Sequence, residues 1–589
     1  MTTALESTCE EAVQKALSEV LNEPTIVKEC VDRASFCNQL LTALKNHNSL
    51  AVTIAEVFAT LGREEYFRSI AAECGVITAL TPLLASTRDV RLQALRAVGN
   101  LCFDNDLCRK QLLVSDGCPA LAGMVRECSA PLQEPLSSRM KCIICGCLLN
   151  VCNNNEELCK EMLGHKVESA LIELLAREGE EDEAVLQMAL KALNALLSSE
   201  AISLDGLVTS PLPKVLYTLL HQLVDQDLDL FDGIHQVLDT LVENESWQVA
   251  VVDSSIAEQL LAMVDQEMQK QALDIVVQLL KNDTCMQKLF DAGHLLSKAM
   301  KWLSSDDTRP EVKGSAALVV GNLARTDENC KALVQSGVVP LLINLAHWKG
   351  DEEMCCKIHT ASLAALRNLS ILESNRLSFL HSGVVDTAIE ALCSPAATVQ
   401  FNALGVLRLA STKQVEVCRH IAMSKGTLIK LCELVGQSGF SHIQLEGGRL
   451  LASIVKYSSS TEVVKEVAVC GGTRCIAALL EAAPLVIKNE GVIALSLMAT
   501  VQDSQVTETF VSQNTLGLII PLLRDESPEL ASNSLVLLNS LLATSDVLAR
   551  KMKESDGYLT VLEGLKDHTS SEVASKAQLL LQQLNTSAQ

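Results

Sequence analysis

The feature that most constrains this chain is a repeat. GNLARTDENCKALVQSGVVPLLINLA at 321–346 returns in altered form as RNLSILESNRLSFLHSGVVDTAIEAL at 367–392. Glycines behind a short polar tag mark the same point in each copy: Gly75, Gly117, Gly293, Gly337, Gly383, Gly472 and Gly557. Gly293 and Gly337 are 44 residues apart, and Gly337 and Gly383 are 46 apart. A second marker, an asparagine inside an apolar run, recurs at Asn100, Asn150, Asn194, Asn322, Asn368 and Asn539 with gaps near the same length or its multiples. A period of about 40–47 residues with helical patterning is the sequence mark of armadillo or HEAT repeats.

The local chemistry agrees. In VKGSAALVVGNLAR apolar residues recur at three and four, the spacing of a buried helix. DENCKALVQS reads as a short helix opening at an acidic N-cap, and Gly337 ends it because glycine takes the left-handed turn cheaply. VVPLLINLA starts again, with Pro340 in its first turn. Helix, glycine turn, helix, polar loop and long helix make one armadillo unit. The expected fold is therefore all-α: a right-handed superhelical armadillo solenoid of roughly a dozen units. Residues 1–25 read as a frayed N-terminal segment, 26–579 as a continuous solenoid and 580–589 as a polar C-terminal tail, with weaker units near 225–300 and 440–510. The acidic run REGEEDE at 177–183 reads as an exposed loop between repeats.

Composition narrows the function. At 48% hydrophobic and 3% aromatic residues, the core must be built from small and aliphatic side chains. A net charge of −24 argues against nucleic acid and anionic membrane, and for a cationic partner. The first residues, MTTALESTCEEAVQKAL, show no secretory signal, and apolar stretches such as 516–523 are too short to cross a bilayer, so a cytosolic monomer with reduced thiols is expected.

Motifs for phosphate loops, dinucleotide folds, zincins and nucleophile elbows are absent, and no cofactor or metal is expected. DQDLDLFDGIHQ at 225–236 fails as a calcium loop, since Leu230 stands where glycine is needed and Gln236 where a bidentate Glu is needed. Cys142, Cys145 and Cys147 contain a C-x-x-C without a second ligand pair and read as buried thiols, and Cys355, Cys356 and His359 form one Cys–His group on a helix that reads as core or surface rather than zinc. An enzyme is not expected. The marker asparagines Asn100, Asn150, Asn194, Asn322 and Asn368 sit on the third helix of each unit, which lines the concave wall of such a solenoid. They could bind the backbone of an extended peptide or tie neighbouring repeats together. In GIHQVLDTLVENESWQ, Asp239 and Glu243 are four apart and read as one helix face, with Glu245 close by, a place where a cationic partner could dock.

Longer stretches go beyond generic repeats: RAVGNLCFDND (96–106), TCMQKLFDAG (284–293), ALVVGNLARTDENC (317–330), ASLAALRNLS (361–370), VQFNALGVLRLA (399–410) and EGGRLLASIVKYSSSTEVVKEVAVCGG (446–472). Together they closely resemble the small-G-protein GDP dissociation stimulators. The resemblance implies a non-enzymatic regulator of Rho- and Rap-type small GTPases with polybasic, prenylation-motif C-termini, acting as chaperone and exchange stimulator. Its clients would bring their prenyl group, and could carry it to the endoplasmic reticulum, mitochondria or nucleus. The family's acidic tail-binding patch falls on Asp239, Glu243 and Glu245. Its GTPase groove falls on Asn322, Thr326 (asparagine in the family), Asn368, Gln400 and Arg408. The other reading of the same features is a scaffold or transport adaptor for extended basic peptides.

Overall fold

The computed structural model describes residues 5, 7, 9–29, 32–131, 134–177, 181–223, 228–264, 269–437, 439–501, 503–512, 515–554 and 556–586. The middle of REGEEDE, the start of the 225–236 stretch, and the first and last residues of the two expected terminal segments lie outside them. Among the described residues every regular element is helical.

The unit read from the sequence forms as a triad. Its first helix is Asp327–Gln335, its second Val338–Ala346 and its third the longer Glu352–Leu369. The same order runs from Thr25–Glu29, Arg33–Asn46 and Ala51–Leu61 to Asp546–Lys553, Asp556–Leu565 and Ser571–Thr586. The first residues carry more order than expected, since Glu10–Asn22 is a helix burying Val13, Ala16, Leu17 and Val20. The C-terminal segment is helical as far as Thr586. The chain divides into two compact units, Met1–Lys288 and Leu289–Gln589, where the sequence suggested one run.

The glycine tags divide into two kinds. Gly337 and Gly383 take the left-handed backbone, at φ 83° and 86°, where a side chain would be strained. At Gly117 and Gly472 the preceding residue makes the turn instead, Asp116 at φ 56° and Gly471 at φ 92°. Those two glycines serve packing: a Cβ on Gly472 would stand 2.7 Å from the Val467 carbonyl oxygen. Where the tag is missing, Lys166 and Ser255 take the left-handed turn.

Within each unit, consecutive third helices stack on one another: Ala51–Leu61, Arg88–Cys102, Ser138–Cys152 and Glu183–Leu197 in the first, and Pro310–Leu323 to Pro528–Thr544 in the second. Small residues permit this. A Cβ on Gly99 would lie 3.1 Å from the Cys147 Cα, and one on Gly321 3.4 Å from the Ala365 Cα. The scarcity of aromatics thus has a packing cause: the backbones approach too closely for rings.

Candidate functional site

In the first unit the marker asparagines behave as ties. Asn100 Nδ2 donates to the Ala59 carbonyl at 2.7 Å, and Asn150 Nδ2 to the Gly99 carbonyl at 3.0 Å, each reaching the preceding third helix. Asn194 accepts through Oδ1 from Thr240 Oγ1 at 2.9 Å, so threonine completes the ladder where asparagine is absent. In the second unit Asn368 Nδ2 donates to the Gly321 carbonyl at 2.9 Å. These bonds satisfy half-buried amides and fix the register of stacking.

The acidic residues are arranged differently from the sequence reading. The third helix Leu228–Leu241 ends before Glu243, which lies in the following turn. Glu245 opens the next helix behind the Asn244 cap. Asp239 alone stands on the third helix, because a helix that stops at Leu241 cannot carry the i, i+4 pairing to 243. Asp232, seven positions or about two turns earlier, shares its side of the helix, Asp229 stands a turn before that, and all three are exposed. On the next third helix, Gln269–Leu279, Gln278 Nε2 donates to Asp239 Oδ1 at 2.7 Å. Asp274 completes the patch. Burial chiefly pushes its carboxyl above the ordinary value and Asp239 adds to that, while Lys270 and His235 oppose it.

The second unit shows another pattern on its third helices. Arg367, Arg408, Arg449 and Glu490 follow one another at intervals of 41 residues. Arg367 lies over the Phe401 ring, 4.8 Å from its centroid. Arg408 Nε is 2.8 Å from Oε1 of Glu446, which is only 5% exposed, and Arg367 reaches the same carboxylate at 4.0 Å. Arg449 grips Glu490 with two bonds, Nε at 2.7 Å and Nη2 at 3.0 Å, and stands 3.6 Å from Glu446. The Glu490 contact, joined by Glu446 and opposed by burial, holds the Arg449 guanidinium in its charged form. The signal was present in the sequence as the equal spacing of the three arginines and Glu490, but Glu446, on which the arginines converge, follows no such period.

The remaining groove candidates take distinct places. Thr326 is an N-cap: its hydroxyl accepts from the Asn329 backbone at 3.2 Å, and Asp327 falls in the first turn instead of capping. Gln400 Nε2 donates to the Ser394 carbonyl at 2.7 Å. Asn322 is loosely held: half-buried, its Oδ1 meets Arg325 Nη2 only at 3.5 Å and its NH2 has no partner among the described residues.

Among the described residues no cluster could hold a metal, and their cysteines are free. Burial pushes the Cys147 thiol up to about 12, which leaves it protonated and inert. A depression of about 880 Å³ opens beside the N-terminal end of Glu352–Leu369, with Ala346, Trp348, Cys355, Ala391, Pro395 and Val399 giving it a mostly apolar wall. No single described helix is long and apolar enough to cross a membrane.

Stacked three-helix units with an inter-repeat amide ladder define an armadillo-repeat protein, and the Armadillo/beta-catenin-like repeat family matches residues 326–371. A chain from a solved structure of the interaction between cadherin and β-catenin shares the fold, with a TM-score of 0.56 at 14% identity over 84% of this chain and 98% of its own. The sequence is 27% identical over 571 residues to Rap1 GTPase-GDP dissociation stimulator 1-A of Xenopus laevis, covering 94% of this chain and 92% of that protein. It is 22% identical over 479 residues to the GTPase-GDP dissociation stimulator vimar of Drosophila melanogaster, covering 73% and 74%. The resemblance read from the motifs therefore extends along nearly the whole chain, which is a relative of the GDP dissociation stimulators.

Proposed function

We propose that this protein is a cytosolic, monomeric, non-catalytic regulator of small GTPases of the Rho and Rap type, which it chaperones and from which it promotes GDP release. The relatives named as GTPase-GDP dissociation stimulators support the regulatory role. The observation that carries the tail-binding part is the carboxylate patch of Asp229, Asp232, Asp239 and Asp274 on adjacent third helices. A polybasic C-terminal tail matches it in charge, and in a −24 protein such a tail is drawn in quickly and salt-dependently.

Release of GDP needs no proton transfer and no covalent step. A groove that holds the GTPase best in its nucleotide-free shape lowers its affinity for GDP by the same factor that GDP lowers affinity for the groove. Asn322, with an unspent amide NH2, is available to contact the bound GTPase. Thr326 acts through the helix it caps. The prenyl group of a lipidated client fits the apolar depression beside Trp348 and Val399, whose volume of about 880 Å³ exceeds that of one isoprenoid chain.

The test is a titration of Rho- and Rap-type GTPases, with and without their basic tails, at two salt concentrations, alongside release of fluorescent GDP. Binding that depends on the tail and weakens in salt, with faster GDP release, is expected. Equal binding of unrelated basic peptides with no effect on GDP would favour the adaptor reading.

A further inference from the structure

A small polar pocket of about 150 Å³ opens between three third helices of the second unit, lined by Arg408, Thr412, Arg449, Ala452, Ser453, Lys456, Tyr457 and Glu490. We infer that this pocket receives a carboxylate side chain from the body of a bound GTPase, a second charge contact of opposite sign to the one made by its tail. The inference rests on the function proposed above.

Several observations point to it. Cations outnumber anions on the pocket wall, although the chain as a whole is strongly acidic. The two guanidiniums are locked in orientation, Arg408 by the buried Glu446 and Arg449 by both Glu446 and Glu490. A site whose donors are already fixed loses little entropy when an anion arrives. The Thr412 and Ser453 hydroxyls are spent inside the protein, on the Arg408 carbonyl and on Ser411. The ammonium of Lys456 is left over. It is exposed, has no carboxylate partner among the described residues, and rests 5.3 Å from the centroid of the Tyr457 ring. The Tyr457 hydroxyl has no partner among the described residues either.

The pocket thus offers one uncompensated ammonium, one phenolic donor and the remaining guanidinium N–H groups. That set suits a single carboxylate. A doubly charged phosphate fits less well, because Glu490 stands on the same wall and would repel the second charge. Apart from Thr412, which follows the end of its helix, the positions are on third helices, the elements that carry Asn322 and Asn368, so an acidic side chain of a protein lying along them can reach the pocket.

The experiment uses the full chain with Lys456→Glu and Lys456→Arg, and an unphosphorylated client GTPase lacking its basic tail. Lys456 is exposed and unpaired, so both variants should fold. Lys456→Glu should weaken the tail-less client about tenfold and Lys456→Arg should restore it, while the isolated tail peptide binds all three proteins equally. Each client Asp and Glu is then changed to Lys. One of these should reproduce the loss in the wild-type protein and be non-additive with Lys456→Glu. Equal affinity for wild type and Lys456→Glu, additivity at every client carboxylate, or a loss seen only with phosphorylated client would overturn the carboxylate pocket alone. A wild-type chain that binds neither client nor tail would overturn the proposed function with it.

Discussion

The two compact units use one backbone plan with opposite surface chemistry. In Met1–Lys288 the third helices are tied through amides, Asn100 to Ala59, Asn150 to Gly99 and Thr240 to Asn194, and their outer surface becomes acidic at Asp229, Asp232, Asp239 and Asp274. In Leu289–Gln589 amides tie Asn368 to Gly321 and Asn533 to Asn489, but between them runs an ionic chain: Arg367, Arg408 and Arg449 converge on Glu446, and Arg449 continues to Glu490. Neutral amides lock register cheaply and leave the surface free to carry charge of one sign. Buried ion pairs lock register too, but each member depends on the other, so that wall tolerates substitution less.

The sharpest way to break this contrast is Glu446→Ala. It strands Arg408 beside a buried vacancy while Arg449 keeps Glu490, and urea denaturation should show a loss of about 3 kcal/mol. An effect no larger than that of an amide tie would show that the ionic wall is no more brittle than the other. Gly99→Ala comes next, because the added methyl meets the Cys147 backbone; it should destabilise by about 1–3 kcal/mol in the same assay. The counterpart of Glu446→Ala in the first unit, Asn150→Ala, removes one hydrogen bond to the Gly99 carbonyl and should cost only about 1 kcal/mol.

Charge reversal sharpens the functional half of the comparison. Asp232→Lys with Asp239→Lys should leave stability within about 0.5 kcal/mol of wild type and weaken a basic tail peptide by about tenfold at low salt, less at high salt. Unchanged peptide affinity would remove this patch as the tail site. The smallest expected effect is a pH dependence. Asp274 has a raised folded pKa, so its contribution to stability is present at acid pH and fades as pH rises through that value. A cationic tail favours the ionised form, so tail affinity should climb over the same window, above the ordinary 3.8, and level off beyond it. Asp274→Asn should flatten that climb in a calorimetric titration.

The repeat, the helix order and the glycine turn at Gly337 could be read from residue spacing, because each depends on neighbours within one helical turn or one period. The choice between Asn as ligand and Asn as tie could not, because Asn150 finds its acceptor 51 residues back, on another helix. Asp239 lies on the third helix, but that helix ends at Leu241, a boundary that packing sets, so Glu243 and Glu245 do not share its face as their spacing suggested. The cap that Thr326 makes on the helix beginning at Asp327 was also not read from the sequence, which placed the cap on the acidic residue itself.

Period, helix content and an excess of carboxylates belong to the chain itself, since propensity, turn chemistry and net charge act locally or additively. Which asparagines become ties and how Glu446 comes to sit among three arginines were settled only when units stacked. Those arrangements depend on side chains about forty residues apart meeting across a helix–helix contact, and no local rule fixes the depth or rotation of that contact.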